Sequence, residues 1–567
     1  MSEKEWTIMI YMAGDNNLSV DMAYAMEQIR DVAVEGAESP NLFVYYDGNS
    51  PAIPTLYCDF SVPRKPRYVR SFKFPNKLYA VPRKENENAA DYRSILNFVD
   101  WCVNKVEVEN NGEVSFGRRA QKYGLIFSGH SLGFQDIGLF KDETSGKSMK
   151  MDDFYFVLHA LTNTKKELEK YAEENDLEEE ARKILTTELL GQKLDILGFD
   201  SCVMGMLEVG YQFNNVAKTM IASEGSVPNA GWTYAKILCS LAQEQNRNID
   251  SRKVAELFVK EFVRSQDAYT VGGVSVDMAA WDLERFHQLA GAFDVLSEVL
   301  LACFEDEESR VYRQMARVIL QVHWKCQSYM YDQNVDLGDF CELLDRECGL
   351  VVEELGGGDD LIKLKEVQEF CRLVLEELKQ AVILSGFSGG GYQYSNGISV
   401  FFPWSREAYE VSRKNYEGLW FAKEAGRKRL SWSGFLRKYL YDVSLRKFEA
   451  PVENAAAGSK YRYTSGVRFD ERSPSVSSDG NGQEGSKISG QEGSKISGQE
   501  GSKISGQEGS KISGQEGSKI SGQEGSKLGG GGASAFFNSL RLFKNIESRW
   551  DISGFTKKTD DAHTTDE

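Results

Sequence analysis

The sequence of 567 residues predicts an α/β fold: a mostly parallel central sheet flanked by helices, with a helical C-terminal part and a repeat tail without regular structure. Two observations carry the sheet. Short runs that are apolar throughout recur along the first 280 residues, which is what strands buried on both faces require. Stretches of helical spacing separate them and supply the crossovers between parallel strands.

Thr7–Met12 is the first apolar, β-compatible run. Val20–Ala33 follows with Met22, Met26, Ile29 and Val32 along one face, the spacing of a helix. Asn41–Tyr46 is a second strand. Asp91–Val106 is a helix whose buried side holds Ile95, Phe98, Val99 and Cys102. Tyr123–Ser128 and Leu194–Phe199 are strands that run into Gly or polar residues. Thr219–Ala222 and Gly273–Val276 are further strands. Residues 282–380 are mostly helical, Gly397–Pro403 returns as a strand, and Gly418–Val443 is a helical end with Trp420, Phe421, Trp432, Phe435, Leu436 and Leu440 to dock it. Residues 165–183 are dense in charge and read as an exposed helical insert.

The organisation expected is a catalytic-type α/β core over 1–280 and a mostly helical continuation over 281–445. A linker follows over 446–482, then an octapeptide repeat over 483–530 and a tail over 531–567 with a short helix. The unit QEGSKISG starts at Gln483, Gln491, Gln499, Gln507 and Gln515, and QEGSKLGG starts at Gln523. One Ile or Leu in eight residues buries too little apolar surface to offset chain entropy, so the repeat reads as a disordered linker.

Hydrophobic residues make up 41% and charged residues 27%, a globular composition. The net charge of −18 without a basic block argues against nucleic acid or anionic lipid as a partner. An acidic cleft that draws in a cationic substrate fits it. No apolar run reaches the ~18 residues of a membrane span. The N-terminus lacks the features of a leader, so the expected location is cytoplasmic, with export by a non-standard route as the alternative. Nine cysteines without a CxxC pair point to reduced, mostly buried thiols, with neither a disulfide framework nor a metal centre.

Two residues stand where chemistry is expected. Of five histidines, His159, His287 and His323 fall in helical patterns and His563 in the tail. His130 directly follows the run YGLIFSG. In open α/β sheets, ligands bind past the carboxyl ends of the strands. Cys202 follows LDILGFDS in the same way and begins a helical pattern, Met204–Tyr211. A helix N-terminus there would lower the thiol pKa and favour thiolate. Asp15, Asn16 and Asn17, past the first strand, read as caps of the next helix rather than as substrate or calcium contacts.

The blocks WTIMIYMAGDNNL (6–18), LIFSGHSLGF (125–134), LDILGFDSCVMGMLEVGY (194–211) and ASEGSVPNAGWTY (222–234) resemble, in order, signatures of the clostripain family of cysteine peptidases. VDLGDF (335–340), NGISVFFP (396–403) and the Trp/Phe-rich end near 420–440 are also similar to its pattern. The resemblance covers roughly residues 5–445. It implies the fold of the caspase–gingipain–legumain clan and a cysteine endopeptidase that cuts after Arg or Lys, with Cys202 as nucleophile and His130 as general acid/base. It also implies an oxyanion hole from the backbone N–H groups of Cys202 and Ser131. Here Ser131 stands where the family usually has glycine, a strained place for serine if φ is positive. A basic residue in the substrate needs a buried carboxylate. The resemblance assigns this to Asp200, with capping of the following helix as the structural alternative and Glu224 as a weaker pocket-wall candidate. Self-cleavage between His130 and Cys202 is implied, leaving a monomer. Lys147 in its turn-like setting is the first candidate, followed by Lys150, Lys165, Lys166, Arg182 and Lys183. No cofactor is required. Calcium enters only because part of the family depends on it, and no EF-hand loop is present. The competing reading is an inactive relative that serves as a binding or scaffold protein.

Overall fold

The computed structural model describes residues 4–32, 40–49, 55–61, 80–82, 87–104, 106–108, 114–116, 119–136, 138–174, 188–241, 243, 249–266, 274–329, 333–356, 358, 361–423 and 431–444, and the pairs 448–449, 464–465, 498–499 and 509–510. Its strands up to residue 401 are β1 Lys4–Gly14, β2 Asn41–Gly48, β3 Leu56–Asp59, β4 Ala80–Pro82, β5 Val106–Val108, β6 Val114–Phe116, β7 Ala120–Ser128, β8 Leu194–Asp200, β9 Ala217–Ala222, β10 Val276–Asp282, β11 Ser328–Tyr329, β12 Asn334–Asp336, β13 Val382–Ser388 and β14 Ser399–Phe401.

Nine of these strands form one sheet in the order β13-β10-β9-β8-β7-β1-β2-β3-β4. Its centre is parallel: β2 with β1, β1 with β7, β7 with β8 and β8 with β9. Antiparallel pairs follow outward, β10 on β9 at one side and β3 and β4 at the other. The parallel centre is where the apolar runs lie, and β2 and β8 are buried along their whole length. The sheet is thus the mostly parallel one expected. The strand expected at Gly273–Val276 begins only at Val276.

Register across the centre lines up aromatic side chains. Tyr45, Tyr11, Phe127 and Phe199 are successive partners across β2, β1, β7 and β8. Tyr11 and Tyr45 stack at 4.1 Å, and Phe98 of the helix Tyr92–Val103 meets Tyr45 and Tyr57 edge-on at 5.7 and 5.5 Å. Such pairs add about 0.5–1.5 kcal/mol each beyond their burial. That helix starts where its sequence says, with the Asp91 carboxylate accepting from Arg93 N at 2.9 Å.

The charged insert begins as the helix Lys165–Glu174. Leu168 and Ala172 bury against Ala160, with Leu96, Phe156 and Tyr171 around them. Three to four residues separate its apolar positions, enough to fix one face.

Contacts divide the chain into two compact units. The first comprises Met1–Ser265, Met278–Phe286 and Ala381–Gly386, and contains the large sheet. The second comprises Gln266–Asp277, His287–Gln380 and Phe387–Glu567. It is largely helical, with Arg310–Lys325, Leu337–Glu354 and Arg406–Tyr416 among its helices and a small antiparallel sheet β11-β12-β14. Trp432, Phe435 and Phe402 pack together in it, with Trp432 Nε1 donating to the Phe401 carbonyl at 2.9 Å. No described helix is long and apolar enough to cross a membrane. Most of the linker, repeat and tail lies outside the described residues. Within the repeat, Gly498–Gln499 pairs with Gly509–Ser510, a local pairing the linker reading did not expect.

Candidate active site

Register brings the two sequence-predicted residues to one edge. Ser128 at the end of β7 is the partner of Asp200 at the end of β8. His130 and Cys202 each stand two residues further on. Parallel neighbours lie about 4.8 Å apart, so equal steps past a matched pair deliver both residues to the same end of adjacent strands. The two turns are tied directly: Ser131 Oγ donates to the Cys202 carbonyl at 2.6 Å.

The His130 ring is half-buried, and its Nε2 lies 2.8 Å from Asn17 Oδ1. An amide oxygen only accepts, so this contact assigns the proton to Nε2 and leaves Nδ1 with its lone pair in the neutral ring. Asn17 belongs to the turn after β1, the other neighbour of β7. Asn16 closes this turn rather than capping the helix expected after it, which spans Ser19–Val32: its Oδ1 accepts from Leu18 N at 2.9 Å. Sequence reading missed the partnership of Asn17 with His130; its signal is an Asn past the end of a strand, decipherable once the strand order is known.

Cys202 is buried, with its sulfur against the segment 225–227: Val227 N donates to Sγ at 3.4 Å and the Val227 carbonyl is 3.7 Å away. The helix expected to begin beside it does not. It spans Leu207–Phe213, with Met206 as its N-cap. Residues 203–205 instead run alongside 223–225, with Val203 N on the Gly225 carbonyl (2.9 Å) and Gly205 N on the Ser223 carbonyl (2.7 Å). A Cβ on Gly205 would stand 2.5 Å from Glu224 N, so only glycine allows this approach. The donor that reaches the sulfur is therefore a loop N–H, not a helix terminus.

Val203, the residue after the cysteine, has φ +62°. For a β-branched residue this conformation costs on the order of 1–3 kcal/mol and persists only where surroundings impose it. Here the Gly225 carbonyl holds its N–H and its side chain is buried. Among the described residues, Val203 and Phe140 are the non-glycine positions with positive φ. Ser131 is not one of them, so serine in place of glycine carries no left-handed strain.

Asp200 is buried and meets three donors: Trp232 N on Oδ1 (3.0 Å), and Ser128 Oγ (3.0 Å) and Tyr234 OH (2.8 Å) on Oδ2. It caps no helix. Burial pushes its carboxyl pKa up to about 6, against the lowering effect of those donors. Gly231, at φ +66°, presses on it, and a Cβ there would lie 2.7 Å from Oδ2. Glu224 is fully buried within the segment that runs beside the Cys202 turn.

The cleavage candidates separate by local structure. Lys147 is exposed at the end of a turn closed by the Asp142–Lys147 bridge. Lys150 is exposed and precedes the helix Met151–Thr162. Lys165 and Lys166 open a helix, and Arg182 and Lys183 lie outside the described residues. All nine cysteines are free; apart from the exposed Cys239 the remaining thiols are buried, and Cys58, for one, is pushed up to about 12 by burial. His323 is sandwiched between Phe402 and Trp404 at 3.9 and 3.8 Å, and burial lowers its pKa to about 3.

Known proteins align with this arrangement. Residues 10–439 match the clostripain family. Clostripain of Hathewaya histolytica is 24% identical over 441 residues, covering 71% of this chain and 76% of that protein. A solved secreted C11 cysteine protease of Bacteroides thetaiotaomicron, in complex with an irreversible peptide inhibitor, is 16% identical, with a TM-score of 0.45 over 76% of this chain and 99% of that one. An inactive zymogen C11 protease of Parabacteroides distasonis is also 16% identical, with a TM-score of 0.46 over 75% and 99%. The match over most of its length places the chain in the clostripain family, as a hydrolase of the cysteine-peptidase type.

Proposed function

We propose that Cys202 is the nucleophile and His130 the general acid/base of an endopeptidase that cuts after Arg or Lys. The observation that carries this reading is the in-register end of β7 and β8, with Ser131 Oγ bonded to the Cys202 carbonyl. The thiol proton passes to His130, the thiolate adds to the scissile carbonyl, and the protonated imidazole gives the proton to the leaving amine. Asn17 occupies Nε2–H, so Nδ1 is the nitrogen that moves the proton. Water then cleaves the thioester, with the same imidazole as base. Val227 N–H favours the thiolate, and the backbone N–H groups of Cys202 and Ser131 serve the oxyanion.

Asp200 is the carboxylate for the basic substrate residue. It is already held by three donors, so a guanidinium or ammonium would join an existing network and complete its charge balance. Self-cleavage after Lys147 is favoured over Lys165 or Lys166 because a turn can enter an active site extended, whereas a helix must first unwind. The product is proposed to stay a single folded monomer.

Hydrolysis of short Arg- and Lys-containing fluorogenic peptides by the wild type and Cys202→Ala tests the assignment. Loss of all turnover in Cys202→Ala is expected; equal rates in both would refute it. In Asp200→Asn, turnover of basic peptides should fall more than that of neutral ones. A uniform fall would reject the pocket role.

A further inference from the structure

The same end of the sheet holds a second cluster that the peptidase chemistry does not use. Asp15 follows β1, Asp47 is in β2, and Asp142 is in the turn beyond the His130 loop. All three are buried, and each offers a carboxylate oxygen within 4.8 Å of the others. The protein's own donors cover only part of them. Asp15 Oδ2 accepts from Thr144 N (3.2 Å), Asp47 Oδ1 from Thr55 Oγ1 (2.9 Å), and Asp142 from Ser145 N (2.7 Å) and Ala89 N (3.1 Å). Asp15 Oδ1 and Asp47 Oδ2 remain, buried and without a hydrogen-bond partner. Their residues have no exposed surface. Lys141, beside Asp142 in sequence, pairs with Glu143 instead at 2.7 Å.

Buried carboxylates in mutual contact must take up either protons or a counter-charge. The donors are all oxygen, which suits hard cations and disfavours zinc or copper. An ion that holds oxygens at about 2.4 Å spans a cluster of this width. We propose that Asp15, Asp47 and Asp142 bind one hard divalent cation of the calcium type, and that the ion braces the turn that holds His130. The same turn carries Asn17, and it is clamped to residues 141–144: Glu143 N donates to the Asp15 carbonyl (2.7 Å) and Asn16 Nδ2 to the Lys141 carbonyl (2.9 Å). Without the ion, the carboxylates must take up protons or repel one another, and the segments that position Asn17 lose their brace. Binding stands on the cluster alone; the bracing role rests on the proposed chemistry of His130.

The test uses the full chain after treatment with a chelator. Calorimetric titration with calcium or magnesium ion, and the thermal midpoint with and without it, are read for wild type and Asp47→Asn. Wild type should take up one ion, with its midpoint rising by several degrees at saturating ion. Asp47→Asn should bind on the order of tenfold more weakly or worse. Its ion-free midpoint should match or exceed that of ion-free wild type, because it removes a repelling charge without unfolding the site. No uptake of either ion by wild type, or equal uptake by the variant, overturns the site. Ion binding without any change in peptide turnover rejects the bracing role. Ion binding by a wild type that hydrolyses no peptide leaves the site standing and sinks the peptidase assignment instead.

Discussion

Exchanging Asp200 for Asn should remove a specific pH dependence of stability. The carboxyl is buried, and its pKa rises from 3.8 to about 6 on folding. Below the lower value both states are protonated and the group contributes no difference. Between the two values the unfolded chain releases its proton while the folded chain keeps it, so stability falls as pH rises. Above pH 6 the folded state carries the ionised group at a constant cost. Roughly two pKa units at about 1.4 kcal/mol each give a cost of about 3 kcal/mol. Asn keeps the shape: its amide oxygen still accepts from Trp232 N, and its NH2 can donate to the Ser128 and Tyr234 hydroxyls with their roles reversed. Urea unfolding under reducing conditions, followed by tryptophan fluorescence, reports on the site through Trp232. Relative to wild type, Asp200→Asn should gain about 3 kcal/mol on going from about pH 4 to about pH 7. A difference between the two proteins that is the same at both pH values would refute the reasoning.

Other outcomes follow from the same geometry. Asn17→Ala should lower kcat by about ten- to a hundredfold with KM little changed, because it frees the His130 ring without touching substrate. A rise in KM with kcat unchanged would count against it. Gly231→Ala should destabilise by about 2–4 kcal/mol, since the new Cβ meets Asp200 Oδ2 at 2.7 Å on a backbone with φ +66°; an unchanged thermal midpoint contradicts this. Intact-mass analysis of Lys147→Ala should show loss of the cut between Lys147 and Ser148, while Lys165→Ala leaves it in place. The reverse pattern would move the site into the insert.

The parallel centre of the sheet was legible because each of its strands is buried along most of its length and so carries a mostly apolar run. Outer strands carry no such mark. β3 is only four residues long, and β13, VILSGFS, is half-exposed along most of its length and mixes Ser and Gly with its apolar residues. His130 and Cys202 were legible for the same reason as the strands that deliver them. Their supports were not: Asn17, Val227 and the three aspartates meet only through strand order and loop docking. The helix misplaced at Met204 shows the converse. The apolar spacing of VMGMLEV is helical, but the close approach of Gly205 to the Ser223–Glu224 backbone keeps those residues out of the helix until Leu207.

Strand β1 lies inside the large sheet, between β7 and β2. The contact between Asn17 and His130 spans 113 positions, and that between Ser131 and Cys202 spans 71. Loops of that length close late, since their entropy is spent before any contact rewards it. A chain leaving the ribosome therefore holds its histidine unsupported until β7 has docked on β1, and its cysteine turn unformed until residues 223–227 arrive. Cutting power would appear only after residues 223–227 have docked, which shields the polypeptide made before them from its own active site.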